Sequence, residues 1–405
     1  MERLSDSNNN ANTNSTLRPD ESGIPASGRR RLRLSEKMRI CVRRHMLKRH
    51  GYLRPLVLCF ICIIVLLLTS FFPIRTAPQP SASDYPNLGV QLSFVGDVML
   101  SRYIGEYGDS YGYDGFFNQA SPIWANSDYT FANLECSVVM RDPSEYVKDK
   151  KEIHLAANPH SVQAMLASGI NAINCANNHS HDYGTDAFRE ALAYFDSIGL
   201  NYSGTTFRYD ERGERLLSTQ LITKNQQRIG FIGVTNVIYE GLNANSGVLT
   251  SGNFSLYTAV YEAHASNDLT IVYVHWGKEY TTNPTDSQKE LAHRLIDAGA
   301  DIIIGSHSHC LQPVEKYGNG IIFYSLGNFV MDQINTFTRD SVIVQYNQAN
   351  DGSRFFELIP ISVNDGVPQA IEGGYRCTRI RRILTKYLDS TDYSVNDNGH
   401  IIIRF

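Results

Sequence analysis

Four separated segments of the sequence place polar, metal-binding side chains where a predicted strand ends. Their chemistry-bearing residues are Asp97, Glu135, Asn178, His179, His275, His307 and His309. Carboxylate, amide and imidazole groups are ligands that suit Mn, Zn, Fe or Mg. Because ligand sites in open α/β sheets lie at the carboxyl ends of the strands, these segments predict a site for one or two divalent metal ions at one sheet edge.

Each of these residues alone would have an ordinary explanation. A lone strand-end carboxylate is usually a solvated turn residue, a lone His275 is more often a hydrogen-bonded core histidine, and Asn177-Asn178 alone signals a turn. Two carboxylates that converge repel each other unless a cation lies between them, so the combination favours a metal site over packing. Each imidazole would need an acceptor for its second nitrogen, and Asp182 and Asp332 are the candidates.

The elements that must position these residues alternate between strand and helix. Apolar runs predict strands at 90–95, 129–134, 172–175, 229–234, 270–274, 301–304, 321–324, 341–346 and 355–361. Helices are predicted at 159–168, 185–198 and 284–298. The first helix would begin after Asn158 as its N-cap and stop at Gly169. Early alternation followed by clustered late strands indicates a mixed α/β layered domain.

The charge of the chain is divided unevenly. The first 54 residues hold 13 Lys or Arg against 5 Asp or Glu, and the remainder holds 24 against 36. A nucleic-acid-binding protein would carry its basic residues on the folded domain, so the sequence argues against nucleic acid as a partner. The basic residues instead precede an uncharged, apolar run at 55–74, which is about as long as a bilayer core requires.

This order of segments predicts a single-pass protein of the cell membrane. By the positive-inside rule, the basic and disordered tail at 1–54 stays in the cytoplasm, 55–74 is the transmembrane anchor, and the later chain is extracellular. A cleaved signal peptide, with 81–83 as its small-residue site, is the alternative. The remaining predicted divisions are a Pro-rich linker at 75–87, a folded domain at 88–363 and a C-terminal extension at 364–405.

The seven cysteines show no compact disulfide pattern. Cys136, Cys175 and Cys310 each lie within three residues of a proposed ligand. They could be soft metal ligands or a redox pair. The favoured interpretation is that they are small, buried packing residues beside the site.

The motifs resemble, in the same order, those of the bacterial capsule-synthesis proteins of the CapA type, which are linked to poly-γ-glutamate production. The segments with the resemblance are 92–102 (LSFVGDVMLSR), 133–135 (NLE), 176–184 (ANNHSHDYG), 275–279 (HWGKE), 305–309 (GSHSH) and 324–329 (YSLGNF). That family in turn resembles the calcineurin-like metallophosphoesterases. The resemblance implies a four-layered α/β/β/α sandwich with a two-metal site.

The resemblance also implies a role for each candidate residue. The implied metal ligands are Asp97 and His309 for the first metal, Glu135 as the bridge, and Asn178, His275 and His307 for the second metal. His179 would donate a proton to the leaving group, with Asp182 beside it. Arg102 would hold an anionic carboxylate or phosphate by a bidentate contact, or else form a surface salt bridge.

The sequence departs from the phosphoesterase pattern at four positions. Met99 stands where the first metal has a histidine ligand, and Glu135 replaces the bridging Asp. Ser180 stands where an acid is usual, and Ser308 where the capsule family usually has Pro. Thioether sulfur is a poor ligand for a hard metal, so one metal rather than two, or a different chemistry, stays open.

Three functions follow from these residues. The first is a membrane-anchored, extracellular component of capsule biosynthesis whose metal-dependent, hydrolase-like site acts on an anionic polymer. The alternatives are a phosphoesterase for a surface phosphate ester, and a non-catalytic subunit that recruits membrane-bound polymer synthetase subunits. The chain contains no Gly-x-x-x-x-Gly-Lys phosphate loop, so we do not expect it to make the polymer by itself.

Overall fold

The computed structural model describes residues 34–46, 53–71, 75–76, 88–243 and 245–404. The chain divides into two compact units, Met1–Phe72 and Pro73–Phe405, and each unit is described by itself. The disorder predicted for the start of the chain and most of the predicted linker at 75–87 lie outside the described residues.

Two helices form the described part of the N-terminal unit, α1 (Leu34–Met46) and α2 (Leu53–Phe71). The prediction of disorder throughout 1–54 is therefore wrong for α1. The sequence of α1 is rich in Leu, Met, Lys and Arg, which are strong helix formers. A judgement from charge and polarity alone overlooks this helix propensity.

The second helix, α2, covers most of the apolar run that predicts an anchor at 55–74. Several of its described side chains are exposed, including Leu56, Leu58 and Phe60. Within the described part of the chain, none of the helices combines the length and the apolar character that crossing a membrane requires. The anchor is thus still a prediction from the sequence.

Six α-helices belong to the described part of the C-terminal unit. They are α3 (Arg102–Tyr111), α4 (Pro159–Ala167), α5 (Gly184–Ile198), α6 (Leu256–Ser266), α7 (Asp286–Asp297) and α8 (Gly374–Leu384). The three predicted helices correspond to α4, α5 and α7 within two residues at each end. The Asn158 side chain caps α4 as predicted, since its oxygen accepts a hydrogen bond from the Ser161 amide at 2.9 Å.

The strands of the described chain include all nine that the sequence predicts. They are β1 (Arg75–Thr76), β2 (Leu88–Val98), β3 (Tyr129–Leu134), β4 (Ser137–Val138), β5 (Ala156–Ala157), β6 (Ala172–Asn174), β7 (Asn201–Ser203), β8 (Thr219–Ile222), β9 (Arg228–Thr235), β10 (Leu269–His275), β11 (Ile302–Ser306), β12 (Val314–Tyr317), β13 (Gly320–Phe323), β14 (Asn328–Val330), β15 (Asp340–Ala349), β16 (Arg354–Asn364), β17 (Val367–Glu372), β18 (Tyr393–Val395) and β19 (Ile401–Arg404).

Two mixed sheets contain all of these strands except β4 and β5, which pair with each other. The larger sheet has the order β1-β17-β16-β15-β2-β3-β6-β7, with β14 beside β2 and β19 beside β16. In it, β2, β3, β6 and β7 run parallel, whereas β15 to β17 are antiparallel. The smaller sheet has the order β12-β13-β11-β10-β9-β8, with a parallel centre of β9, β10, β11 and β13.

Three hydrophobic clusters hold the layers together. The central cluster joins the two sheets, for example through Phe131 of the larger sheet and Phe231 of the smaller one, whose rings meet edge to face. A second cluster packs Ile104 and Phe188 of helices α3 and α5 against the larger sheet. A third packs Leu295 of α7 against the smaller sheet. The layers therefore follow the order helix, sheet, sheet, helix.

The C-terminal residues belong to the same compact unit as the rest of the domain. Strands β17 and β19 pair with β16, and Cys377, Ile380 and Leu384 of α8 are buried in the central cluster. The folded unit therefore extends beyond the boundary predicted at residue 363. Only one face of α8 is apolar, and the sequence analysis did not recognise this helical spacing as a core contact.

Candidate metal centre

The parallel strands of both sheets bring the predicted ligands to one edge. Asp97 lies near the end of β2, Glu135 follows β3 directly, and His275 ends β10. His307 follows β11, and its backbone N–H donates to the Asp97 carboxylate at 3.2 Å. This hydrogen bond joins an acid of the larger sheet to a loop of the smaller sheet, so the centre lies where the carboxyl ends of the two sheets meet.

Two glycines allow the backbone to close around this edge. A Cβ atom on Gly96 would lie 1.9 Å from the carbonyl oxygen of Gly327, and one on Gly305 would lie 2.1 Å from that of Tyr324. Any other residue would push these segments apart. The Gly-Asp and Gly-Ser-His motifs thus have a packing reason for their glycines.

Five buried side chains form two overlapping groups of possible metal donors. Glu135, His275 and His307 offer one donor atom each within 4.8 Å of one another, and so do Asp97, Glu135 and His309. Glu135 is common to both groups, in the bridging position that the sequence predicted. The two groups contain five of the six predicted metal ligands.

Two donor atoms of this cluster have no partner among the described residues. The Oε2 atom of Glu135 and the Nδ1 atom of His307 are buried and make no hydrogen bond. A buried polar atom without a partner costs free energy, so such atoms are rare unless a ligand satisfies them. The donor types and these two atoms fit a divalent metal ion.

Asn178, the sixth predicted ligand, also reaches the cluster. Its side-chain oxygen lies 2.7 Å from Nε2 of His275, and the same nitrogen lies 3.9 Å from Glu135. Asn178 is therefore close enough to share a metal with His275.

Two asparagines that the sequence analysis did not select hold the ligands in place. The Asn133 amide donates to Asp97 at 2.8 Å and lies 3.1 Å from Nδ1 of His275. The Asn328 oxygen lies 2.9 Å from Nδ1 of His309. Both belong to motifs quoted above, the Asn-Leu-Glu and Leu-Gly-Asn-Phe segments. Their position at a strand terminus was the sequence signal that could have identified them as part of the site.

The proposal that Asp332 is an outer acceptor for a histidine is wrong. Asp332 instead forms an ion pair with Arg102, whose side chain is 42% exposed. This contact is the surface salt bridge that the sequence left as one interpretation of Arg102. Neither residue belongs to the donor groups.

The loop after β11 holds both of its histidines in an unusual backbone conformation. His307 and His309 have φ angles of 87° and 55°, a region that residues other than glycine seldom adopt. The rings of His275 and His307 lie 4.6 Å apart, and those of His307 and His309 6.1 Å apart. Backbone strain of this kind often occurs where a loop must aim side chains at a site.

The pKa values of Glu135 and His309 are both raised, for different reasons. Burial and the neighbouring Asp97 carboxylate raise the pKa of Glu135 well above its usual range. Burial lowers the pKa of His309, but Glu135 and Asp97 outweigh this and raise that pKa to about 9. Without a metal, Glu135 and His309 thus favour their protonated forms, and a metal ion would replace those protons.

The other two histidines of the cluster are held neutral. Burial, together with the neighbouring His309, lowers the pKa of His307 to about 3. Burial and the neighbouring His307 lower the pKa of His275 well below its ordinary value. A neutral imidazole is the form that binds a metal.

His179 lies beside this cluster in a hydrogen-bonded network of its own. Its Nδ1 atom lies 2.8 Å from Asp182, which fixes the ring and leaves Nε2 as the free nitrogen. Lys151, which the sequence analysis did not select, forms an ion pair with Asp182 and donates to the Asn178 carbonyl. Burial lowers the pKa of His179, although Asp182 opposes this.

Met99 and the three nearby cysteines do not join the donor groups. Met99 is fully buried, and its sulfur accepts a hydrogen bond from the Ser101 amide at 3.1 Å. Cys136, Cys175 and Cys310 are buried free thiols, and burial raises the pKa of each. A protonated, buried thiol is inert, which agrees with the packing interpretation.

Two curated relatives of the chain are named as biosynthesis proteins of a capsule or of PGA. The chain is 34% identical over 368 residues to a Bacillus anthracis protein named "Capsule biosynthesis protein CapA", covering 88% of this chain and 87% of that one. It is 36% identical over 313 residues to the Bacillus subtilis "PGA biosynthesis protein CapA", covering 76% and 81%. A Mycobacterium tuberculosis "Probable polyglutamine synthesis accessory protein" is 27% identical over 51% of this chain and 56% of that one.

Similarity to solved structures is weaker. A 5'-nucleotidase from Candida albicans aligns with a TM-score of 0.39 and 12% identity, over 81% of this chain and 57% of that one. The TT1561 protein of Thermus thermophilus aligns with the same TM-score and 10% identity, over 63% and 93%. Similarity at this level supports no functional argument.

A family model covers the centre of the chain. The model described as "Bacterial capsule synthesis protein PGA_cap" matches residues 91–333, which contain every predicted ligand. The match spans 60% of the chain, and the two Bacillus relatives are 34% and 36% identical over most of it. The chain therefore belongs to the bacterial capsule synthesis protein family.

Proposed function

We propose that this protein acts in poly-γ-glutamate capsule biosynthesis, and that its metal centre hydrolyses amide bonds of the anionic polymer. The observation that supports the hydrolytic part is the convergence of two carboxylates and three imidazoles on one buried edge, with the Oε2 atom of Glu135 and the Nδ1 atom of His307 unpartnered. The names of the Bacillus relatives support the pathway.

We also propose that the protein is anchored in the cell membrane with its C-terminal unit outside the cell. The support is the apolar run at 55–74, preceded by 11 Lys or Arg and one acid between 29 and 54. The exposed apolar side chains of α2, such as Leu56 and Phe60, would then contact lipid. Cleavage of the membrane-bound protein by an added protease in intact cells would test this orientation.

The residues around the centre suit hydrolysis of an amide. A bound divalent metal would polarise the carbonyl group and lower the pKa of a bound water. Water adds its oxygen to the carbonyl carbon, the C–N bond breaks, and the leaving nitrogen gains a proton. His179 would take one proton of the water at Nε2 and pass it to the leaving nitrogen, because Asp182 holds its Nδ1 atom and Lys151 holds Asp182.

A chain-length assay tests the proposal directly. Purified full-length protein in neutral detergent is loaded in turn with Mn, Fe, Zn or Mg, and the length of poly-γ-glutamate is followed by gel filtration. We expect shortening with at least one metal and a loss of about 100-fold or more in His179→Ala. Lys151→Met should also lower the activity, because Lys151 contacts the network, and Lys150→Met is its matched control.

The same samples test the phosphoesterase alternative. A panel of chromogenic phosphate esters is added under the conditions that support polymer shortening. Ester hydrolysis that depends on His179, without any change in polymer length, would replace the proposed substrate with a phosphate ester.

The buried Met99 favours a second candidate function, a non-catalytic assembly subunit. The centre lacks one histidine that the phosphoesterases use, and the Met99 sulfur is already engaged by Ser101. In that case the protein would recruit membrane-bound synthetase subunits without cutting the polymer. Cells whose capsule is restored by a His275→Ala/His307→Ala variant would support the assembly function and contradict the hydrolytic one.

A further inference from the structure

A separate recess of the C-terminal unit is lined by one face of α8. Its cavity volume is about 400 Å³, and the described residues that line it include three cations, Arg379, Arg382 and Lys386, and no Asp or Glu. Tyr375 and Asn283 add an exposed ring and an amide. These residues of α8 lie beyond 91–333, the part of the chain that the family model matches.

The spacing of the lining residues aligns the positive charges in one row. Tyr375, Arg379, Arg382 and Lys386 are separated by four, three and four positions. Residues three or four apart lie on the same face of a helix, and Lys386 follows the last turn of α8. A ligand with regularly repeated negative groups could contact several of these cations at once.

The positive charge of this region exceeds the negative charge beside it. One buried acid, Asp340, accepts two hydrogen bonds of 2.6 Å from Arg379 and lies 3.5 Å from Arg376. Arg339 lies next to Asp340 in the chain, and its Nε atom is buried without a hydrogen-bond partner in the described residues. This region therefore has one carboxylate for three guanidinium groups.

Two further cations remain available to a ligand. Arg382 is exposed and forms no hydrogen bond or ion pair with the described residues. Lys386 is exposed as well, and it donates only to the neutral side-chain oxygen of Asn283. The chain beyond residue 54 has 24 basic against 36 acidic residues, so most of its surface would repel a polyanion. The recess is a local exception.

Two loops connect the recess with the metal centre. Asn283 lines the recess, and Tyr280, three residues earlier, lies 5.9 Å from the His309 ring. On the other side, Asn328 contacts both His309 and the carbonyl of Thr338, the residue before Arg339. A bound chain could therefore follow the exposed residues Asn283 and Tyr280 from α8 to the catalytic edge.

We propose that the recess on α8 binds a run of carboxylates of the anionic polymer and holds the chain while the metal centre acts on it. This inference rests on the proposed function. Arginine binds a carboxylate through two parallel hydrogen bonds, and lysine adds a point charge. Several weak contacts on one chain raise the overall affinity far above that of a single glutamate.

The test is polymer binding by full-length protein in nanodiscs of neutral phosphatidylcholine. The charge-reversal variant is Arg382→Glu/Lys386→Glu, and the control, Arg212→Glu/Arg215→Glu, makes the same charge change at exposed positions of the turn after β7. We expect poly-γ-glutamate to bind the α8 variant at least about tenfold more weakly, and the control within about twofold of the parent. Free glutamate should bind poorly to all three.

The result separates this inference from the proposed function. Metal content should be the same in all three proteins, because neither pair of residues touches the donor groups. Equal polymer affinity in the α8 variant and the parent would overturn the inference and leave the metal centre untouched. Protection of α8 amides from hydrogen exchange by phosphatidylglycerol nanodiscs but not by polymer would assign this face to anionic lipid instead, and would also overturn it.

Discussion

Two groups of acid and histidine in the described part of the C-terminal unit contain buried atoms without a partner, and only one of the two resembles a metal centre. Glu357 and His400 form a pair with a 2.6 Å contact, and each keeps one buried atom without a hydrogen-bond partner among the described residues. The metal centre also has two such atoms, on Glu135 and His307. Unpartnered buried atoms therefore do not distinguish the two groups.

The number of converging donors makes the difference. The Glu357–His400 pair lies between neighbouring antiparallel strands, and among the described residues no third donor joins it. At the metal centre, Glu135 is within reach of Asp97 and three histidines from other strand ends. A cation needs several ligands at once, so convergence at a parallel-sheet edge, rather than burial, indicates the metal site.

The largest expected effect concerns the Glu357–His400 pair, which lacks the donors of a metal site. His400→Ala should lower the free energy of unfolding by about 3 kcal/mol or more, because it leaves Glu357 buried without its main partner. Metal content should not change. Urea unfolding and elemental analysis of the same sample measure both quantities, and a loss of metal in this variant would contradict the distinction between the two groups.

The next effect concerns the carboxylate that both donor groups share. At a Mn²⁺ concentration about 100 times its dissociation constant, the parent should gain about 2.7 kcal/mol of unfolding free energy. Glu135→Gln should lose this gain, and Glu357→Gln, the same substitution in the other group, should keep it. Thermal unfolding with and without Mn²⁺ measures the difference, and an equal gain in both variants would exclude Glu135 as a ligand.

A smaller effect is the pH dependence of metal binding. Since the metal-free pKa of His309 is raised to about 9, a proton must leave His309 before a metal binds below that pH. This proton should weaken metal affinity about tenfold for each pH unit of decrease from 9. His307, with a pKa lowered to about 3, is already neutral and should add no dependence above that value.

Titration calorimetry between roughly pH 6 and 8 measures this dependence. The variant His309→Gln has no proton to release at that position, so its slope should be smaller by about one proton. An unchanged slope in His309→Gln would show that the released proton belongs to another group.

The smallest expected effect is at Met99. Met99→Leu should cost less than about 1.5 kcal/mol of stability and leave metal content unchanged, because the sulfur contacts Ser101 and lies in the hydrophobic core. Elemental analysis and thermal unfolding check this outcome. A loss of metal would make the Met99 sulfur a ligand.

The sequence predicted the centre better than its surroundings. The ligands lie at the ends of apolar segments. Such a segment identifies both a strand and the sheet edge at which the strand ends, and all six predicted ligands lie in or beside the cluster. Asn133, Lys151 and Asn328 were missed because their partners lie 19 to 142 residues away in the chain. Such contacts depend on how the strands are ordered, and spacing does not reveal that order.

The ends of the chain were predicted less well for a different reason. Helix α8 buries only Cys377, Ile380 and Leu384, and its remaining residues are largely basic or polar. In the sequence, a helix with one buried stripe between charged residues resembles a solvated extension. Its packing becomes evident only in the structure, where β17 and β19 extend the sheet beside the helix. The same basic residues form the recess proposed to bind the polymer.

The most direct test of the central claim is the metal content of the purified full-length protein beside that of Asp97→Ala/His307→Ala. Elemental analysis after dialysis against metal-free buffer gives the equivalents bound, and circular dichroism shows that both proteins are folded. We expect about one or two equivalents of Mn, Fe or Zn in the parent and a loss of that metal in the variant. Equal metal content in two folded proteins, or none in either, would contradict a metal centre at this edge.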